Sequence, residues 1–150
     1  MSAYLLDTNV LIALLWPAHD AHEVCRVWFE RQARRGWATC ALTQAGFVRI
    51  VSNPAFSPYA PPAYRAAEQL AANLAHPTHQ FWHDDLSLSD AVRPFRAQLF
   101  GHRQVTDAYL LGLAAHHGGR LATLDRGIRS LLPPDGAHSD CLAEIAPGGD

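Results

Sequence analysis

Three aspartates stand where an apolar segment stops or starts. Asp7 follows Tyr4-Leu5-Leu6 and precedes Thr8-Asn9-Val10-Leu11-Ile12; Asp125 follows Leu121-Ala122-Thr123-Leu124; Asp107 comes directly after Thr106, at the head of the run Ala108–Ala115. Read as strand ends and a helix start, these positions fall on one edge of a parallel sheet, the edge where ligands and reactive groups collect. Carboxylates gathered there repel one another and lose hydration. A hard divalent cation makes such a gathering tolerable. With oxygen donors only and no Cys or His pattern beside them, Mg2+ or Mn2+ suits the set better than Zn2+. An ion held by few carboxylates and several waters leaves room for phosphate oxygens and can activate a water for in-line attack, so the chemistry expected is phosphodiester hydrolysis. Taken alone, Asp107 is equally well read as a first-turn residue of its helix, and Asp7 has the reading of a helix cap. Thr8 and Asn9 can cap the first helix unaided, however, and three coincident caps are the less economical account.

The elements that must position these residues alternate between strand and helix. Tyr4–Leu6 reads as a buried strand followed by a helix through Leu15, and Ala21–Arg34 as a second helix with Val24, Val27, Trp28 and Ala33 on one face. Trp37–Leu42 reads as a strand, with Thr43 capping a helix that runs to Val51. A helix at about 63–74, a strand Gln80–His83 ending on Asp84-Asp85, and a helix near Ser89-Asp90 follow. Thr106 is the start signal of a helix that stops at Gly118-Gly119, Arg120–Leu124 is a fourth strand, and Cys141–Ala146 a last one. This alternation predicts a doubly wound, mostly parallel sheet.

Composition narrows the function classes. A 150-residue chain that is 49% hydrophobic and 17% charged is expected to form one domain with its own core. No apolar run reaches membrane-spanning length, and Val10–Leu15 is too short, and too close behind an acidic residue, for a signal peptide. Cys25, Cys40 and Cys141 are odd in number and lack a C-x-x-C pattern, as suits thiols in the cytoplasm. A net charge of −2 offers no basic field to nucleic acid. All twelve basic residues are arginine. The absence of lysine excludes the phosphoacceptor receivers, haloacid-dehalogenase-like phosphatases and P-loop proteins, each of which needs one.

Leu5-Leu6-Asp7-Thr8-Asn9-Val10-Leu11-Ile12, Thr106-Asp107-Ala108-Tyr109-Leu110-Leu111-Gly112-Leu113-Ala114 and Leu121-Ala122-Thr123-Leu124-Asp125-Arg126-Gly127 resemble, in that order, the successive motifs of PIN-domain ribonucleases, in particular the VapC-like toxins of bacterial toxin–antitoxin pairs. The resemblance runs from the first strand to Leu132. It implies a three-layer α/β/α sandwich around a central, mostly parallel sheet of about five strands, and a metal-dependent endoribonuclease. Asp7 and Asp107 would be the principal Mg2+ ligands, with Mn2+ as a substitute, and Asp125 would complete the cluster. Asn9 would brace the Asp7 turn, Thr123 would hydrogen-bond within the cluster, and Thr106 would support the head of the Asp107 helix. The partners implied are RNA (tRNA, rRNA or mRNA), an antitoxin that blocks the cleft, and a second copy of the chain.

One departure stands out. Where this family usually has a glutamate at the start of the helix after the second strand, the chain has Gln44, which can accept a bond but adds no charge. Three carboxylates in place of four favour one tightly held ion. A non-cleaving PIN module that binds RNA or protein, and a PIN nuclease of RNA processing outside any toxin pair, are the alternatives. His102 and Arg103, just ahead of Asp107, and Arg126, just after Asp125, are candidate phosphate contacts. His116-His117 are read as cations welcome at a helix C-terminus, and Asp84, Asp85 and Asp90 as a solvated rim or cap.

Overall fold

The computed structural model describes residues 3–147. Five short strands, β1 (Tyr4–Leu6), β2 (Trp37–Thr39), β3 (His79–Phe81), β4 (Arg120–Thr123) and β5 (Leu142–Glu144), pair in parallel in the order β3-β2-β1-β4-β5. Parallel strands need crossovers, and the crossover helices cover both sheet faces. They are α1 (Thr8–Leu15), α2 (His22–Trp28), α3 (Ala41–Val51), α4 (Ala63–Leu74), α5 (Leu88–Val92) and α6 (Val105–His116).

The period of two along each strand divides the core. Leu5, Ala38 and Leu121 point to one face, where they pack with Ala91 of α5, Phe95 and the apolar side of α6. Leu6, Trp37 and Ala122 point to the other, against residues of α1, α3 and α4 and Cys25 of α2. Leu5, Leu6 and Leu121 are wholly buried. Full burial of a leucine contributes roughly 1.5–3 kcal/mol, so β1 and its neighbours anchor the molecule. The three layers and the sheet are those expected, with every strand pair parallel.

The chain begins at the middle of the sheet, steps outward to β2 and β3 using α1–α4 on one face, then crosses by α5 and α6 on the other face to reach β4 and β5. The order therefore reverses between β1 and β4, and the carboxyl ends of those two strands mark the switch point at which α/β proteins bind ligands.

Several boundaries differ from the sequence expectation. The second strand stops at Thr39, and α3 begins at Ala41 rather than after Thr43. Cys40 occupies the cap position, and Thr43, inside the first turn, accepts the Cys40 N–H on its hydroxyl at 3.1 Å. Apolar Ala41 and Leu42 looked like more strand but lie exposed on that turn. Helix α6 starts at Val105, continuing a 3-10 turn over His102–Gln104; the side chain of Gln104 closes that turn by accepting the N–H groups of Phe100 and Gly101, and Thr106 lies exposed inside the helix. The last strand is shorter than expected, since Ser139–Cys141 form a 3-10 turn.

Candidate functional site

β1 ends on Asp7, whose backbone is extended and whose Oδ1 accepts the Thr8 N–H at 2.8 Å. Asp7 is thus itself the cap of α1, a role the sequence had left to Thr8 and Asn9. The helix starts one residue sooner than those caps would allow. Capping occupies one oxygen only. The other, Oδ2, accepts the Thr123 hydroxyl proton at 2.8 Å, from the end of β4.

Thr123 is fully used in this arrangement. A threonine hydroxyl has one proton and two lone pairs. The proton goes to Asp7, and the oxygen accepts from Asn9 Nδ2 at 3.3 Å and from the Asp125 N–H at 3.0 Å. Asn9 Oδ1 in turn accepts the Leu124 N–H at 3.2 Å. The first turn of α1 is laced in this way to the end of β4, across the point where the strand order reverses. Asp125 accepts the Gly127 N–H at 2.8 Å and caps the 3-10 turn Arg126–Leu131.

Asp107 sits in the first turn of α6, half-buried. Burial pushes its carboxyl up to about 6, and the nearby charges of Asp7 and Asp125 push in the same direction. Asp7, only 7% exposed, is also raised, by burial first and by Asp125 in addition, although its bonds from Thr123 and Thr8 favour the anion. The three carboxylates therefore sense one another's charge. The salt bridges among the described residues, Arg26–Glu23, Arg34–Glu30, Arg93–Asp90 and Arg129–Glu144, include none of them.

The remaining sequence candidates divide. Gln44 donates its amide N–H to Thr39 Oγ1 at 2.9 Å, and Thr39 also lies 2.7 Å from His79 Nε2, so the glutamine is tied to the β2–β3 side of the sheet. The Gln44–Thr39 bond is local to the β2–α3 turn, and only the His79 contact needs the β2–β3 register. His102 and Arg103 are exposed on the turn before α6, and Arg126 is exposed directly after Asp125. Thr106 is exposed one residue before Asp107. Asp90 pairs with Arg93. Asp85 lies beside His116 and His117, a grouping the sequence did not suggest. A hollow of about 430 Å³ lined by Tyr4, Trp28, Arg31, Arg120 and Glu144 opens where β1 and β4 begin and contains none of the three aspartates.

The chain is similar to known proteins over nearly its whole length. It is 44% identical over 142 residues to Ribonuclease VapC44 of Mycobacterium tuberculosis, covering 94% of this chain and 98% of that one. To Ribonuclease VapC38 of the same organism it is 47% identical over 127 residues, 85% of this chain and 88% of the other. Among solved structures, VapBC2 from Rickettsia felis, bound to a DNA fragment from their promoter, superposes with a TM-score of 0.63 at 13% identity, over 96% of this chain and 99% of that one; at that identity the match speaks for the fold. The PIN domain family matches residues 4–131, which include Asp7, Asp107 and Asp125. With that match added to its three-layer parallel fold, the chain belongs to the PIN-domain family.

Proposed function

We propose that this protein is a Mg2+-dependent endoribonuclease acting as the toxin of a toxin–antitoxin pair in the cytoplasm. The observation that carries the reading is the buried Asp7 and half-buried Asp107, both pushed up by burial and by the charge of the exposed Asp125 at the β1–β4 switch point, with none of the three in a salt bridge among the described residues. Buried like charges without a protein cation favour a bound one. Their oxygen-only donors suit Mg2+, with Mn2+ as substitute, and suit Zn2+ poorly. Kinship with curated VapC ribonucleases supports RNA as substrate. The VapBC2 complex that shares the fold supports an antitoxin as partner, and a homodimer is our further proposal for the working form.

Asp7, Asp107 and Asp125 would hold the ion, which when bound neutralises a phosphate oxygen and lowers the pKa of an attacking water. The rest falls to the chain's own groups. Thr123 and Asn9 keep Asp7 and Asp125 in place, so little reorganisation is needed when charge develops. Asp107 keeps a proton near pH 6 when no cation is present and gives it up on binding one. His102, Arg103 and Arg126 flank the cluster and would contact backbone phosphates on either side of the scissile bond.

Purified protein should cleave RNA with Mg2+ or Mn2+ and stop with a chelator. Asp7→Ala or Asp107→Ala should lower the rate by about a thousandfold with the fold retained, since several kcal/mol of charge stabilisation is removed. Mapping RNA ends after brief expression in cells, with Asp7→Ala as control, would identify the target. The neutral Gln44 and the absent basic field favour a second reading, a non-cleaving binding module. RNA binding that survives both substitutions, with no cleavage at any metal, would establish that reading instead.

A further inference from the structure

The far end of α6 gathers a different set of donors. His116 is the last residue of the helix, His117 caps it, and Asp85 comes from the segment that leaves β3. One ligand atom from each lies within 4.8 Å of the other two, and all three residues are exposed. Two anchors bring them together. Trp82, buried just past β3, stacks on the His117 ring with centroids 4.3 Å apart and planes 10° from parallel. Four residues on, the Leu86 carbonyl accepts the Tyr109 hydroxyl of α6 at 3.2 Å. Asp85 lies between these anchors and is held over the end of α6.

Two imidazole nitrogens and one carboxylate oxygen form a borderline donor set. Zn2+ takes such ligands at about 2.0–2.2 Å, which puts neighbouring donors roughly 3.5 Å apart, with water completing the tetrahedron. Exposed side chains reach that spacing by small rotations. Mg2+ prefers oxygen and is disfavoured by the imidazoles. Burial against Trp82, with His116 and His83 nearby, holds His117 below the usual imidazole range despite the opposing charge of Asp85, which leaves a lone pair free at neutral pH. The stacked indole also fixes the ring before any ion arrives. His83 also lies near His117 but outside the group of three, whereas His19 Nδ1 accepts the Ala21 N–H, His22 Nδ1 lies 2.7 Å from the Ala13 carbonyl, and His79 meets Thr39.

We propose that Asp85, His116 and His117 bind one Zn2+, or another borderline transition ion of that class, in a site separate from the acidic cluster. The ion clamps the segment after β3 onto α6. Asp107 and His116 lie nine residues apart on this helix, about 13 Å along its axis, so one ion cannot serve both ends. The proposal does not depend on the nuclease reading.

The test is a calorimetric titration of Zn2+ into the full chain under a large excess of Mg2+. One Zn2+ per chain is expected. His116→Gln and His117→Gln should each weaken binding about tenfold or more, Asp85→Asn should weaken it by a smaller factor, and Asp107→Asn should leave it unchanged. Since the substituted side chains at this end are exposed, circular dichroism should show the fold intact. Amide exchange across residues 82–87 should slow with Zn2+ in the parent and not in His117→Gln. Uptake indifferent to both histidine substitutions, displaced by Mg2+ or abolished by Asp107→Asn would overturn the site. One ion per two chains would overturn the intrachain clamp.

Discussion

In the metal-free chain at neutral pH, Asp107 is ionised in a place that disfavours ionisation. Its carboxyl titrates at 3.8 when unfolded and at about 6 when folded. Between those values the folded state binds the extra proton, so the stability this group contributes is fully present below 3.8 and is lost as pH rises through 6. With a chelator present, Asp107→Asn should therefore melt higher than the parent at pH 7.5 and alike near pH 4. The difference at pH 7.5 should be on the order of 1 kcal/mol once partial exposure screens it, or about 3 °C. Equal melting temperatures at pH 7.5 would mean that burial places no cost on this carboxylate. Gln44→Glu adds a negative charge next to a threonine hydroxyl that can turn to donate to it, and the family resemblance puts an acid there. It should tighten Mg2+ binding in a calorimetric titration, and unchanged affinity would count against a cleft role for this position. At this scale the sequence was informative where chemistry sits at strand ends. Asp7, Thr123 and Asp125 could be placed because the turn after each strand is local. Gln44 was harder to place, because β2 ends at Thr39, three residues before the apolar pattern suggests, and that boundary is what sets Thr39 beside it.

Elements were legible where periodicity was strong and ambiguous where capping decided the boundary. The apolar strand β1, the stop of α6 at Gly118-Gly119 and the alternation of strand and helix all follow from local pattern. The start of α3 does not. Thr43 looks like a cap but serves as the third helical residue for Cys40, and two apolar residues are left exposed on the first turn. Thr106 misled in the same way, because the 3-10 turn closed by Gln104 runs straight into α6. Gly112 has a meaning that only packing reveals. A methyl group there would overlap the backbone carbonyl of Ala91, which lets α5 lie directly on α6. Gly→Ala in an open helix position stabilises by about 1 kcal/mol. Here, because backbone cannot swing aside, Gly112→Ala should destabilise by about 1–3 kcal/mol, read as a lower urea midpoint with unchanged slope. A variant as stable as the parent would show that α5 is free to move off α6.

The molecule as a whole is held by segments that meet only when it is folded. Asp7 and Asp125 close the two ends of the sequence onto adjacent strands, and Asp107 arrives from the helix between β3 and β4. An ion that bridges them binds the folded state alone and stabilises it by mass action, about 2.7 kcal/mol at a concentration one hundred times its Kd. That corresponds to roughly 7 °C in Tm for a chain of this size. Asp7→Asn should abolish most of the shift. The Zn2+ clamp draws on the opposite end of α6 and on no shared side chain. Effects at sites farther apart than about 10 Å add to within a few tenths of a kcal/mol. Melts in Mg2+ alone, Zn2+ alone and both should therefore give shifts that sum, with Asp7→Asn removing only the Mg2+ part and His117→Gln only the Zn2+ part. A combined shift no larger than the greater single one would mean that the two ions compete for one site, and that α6 is not tied down at both ends.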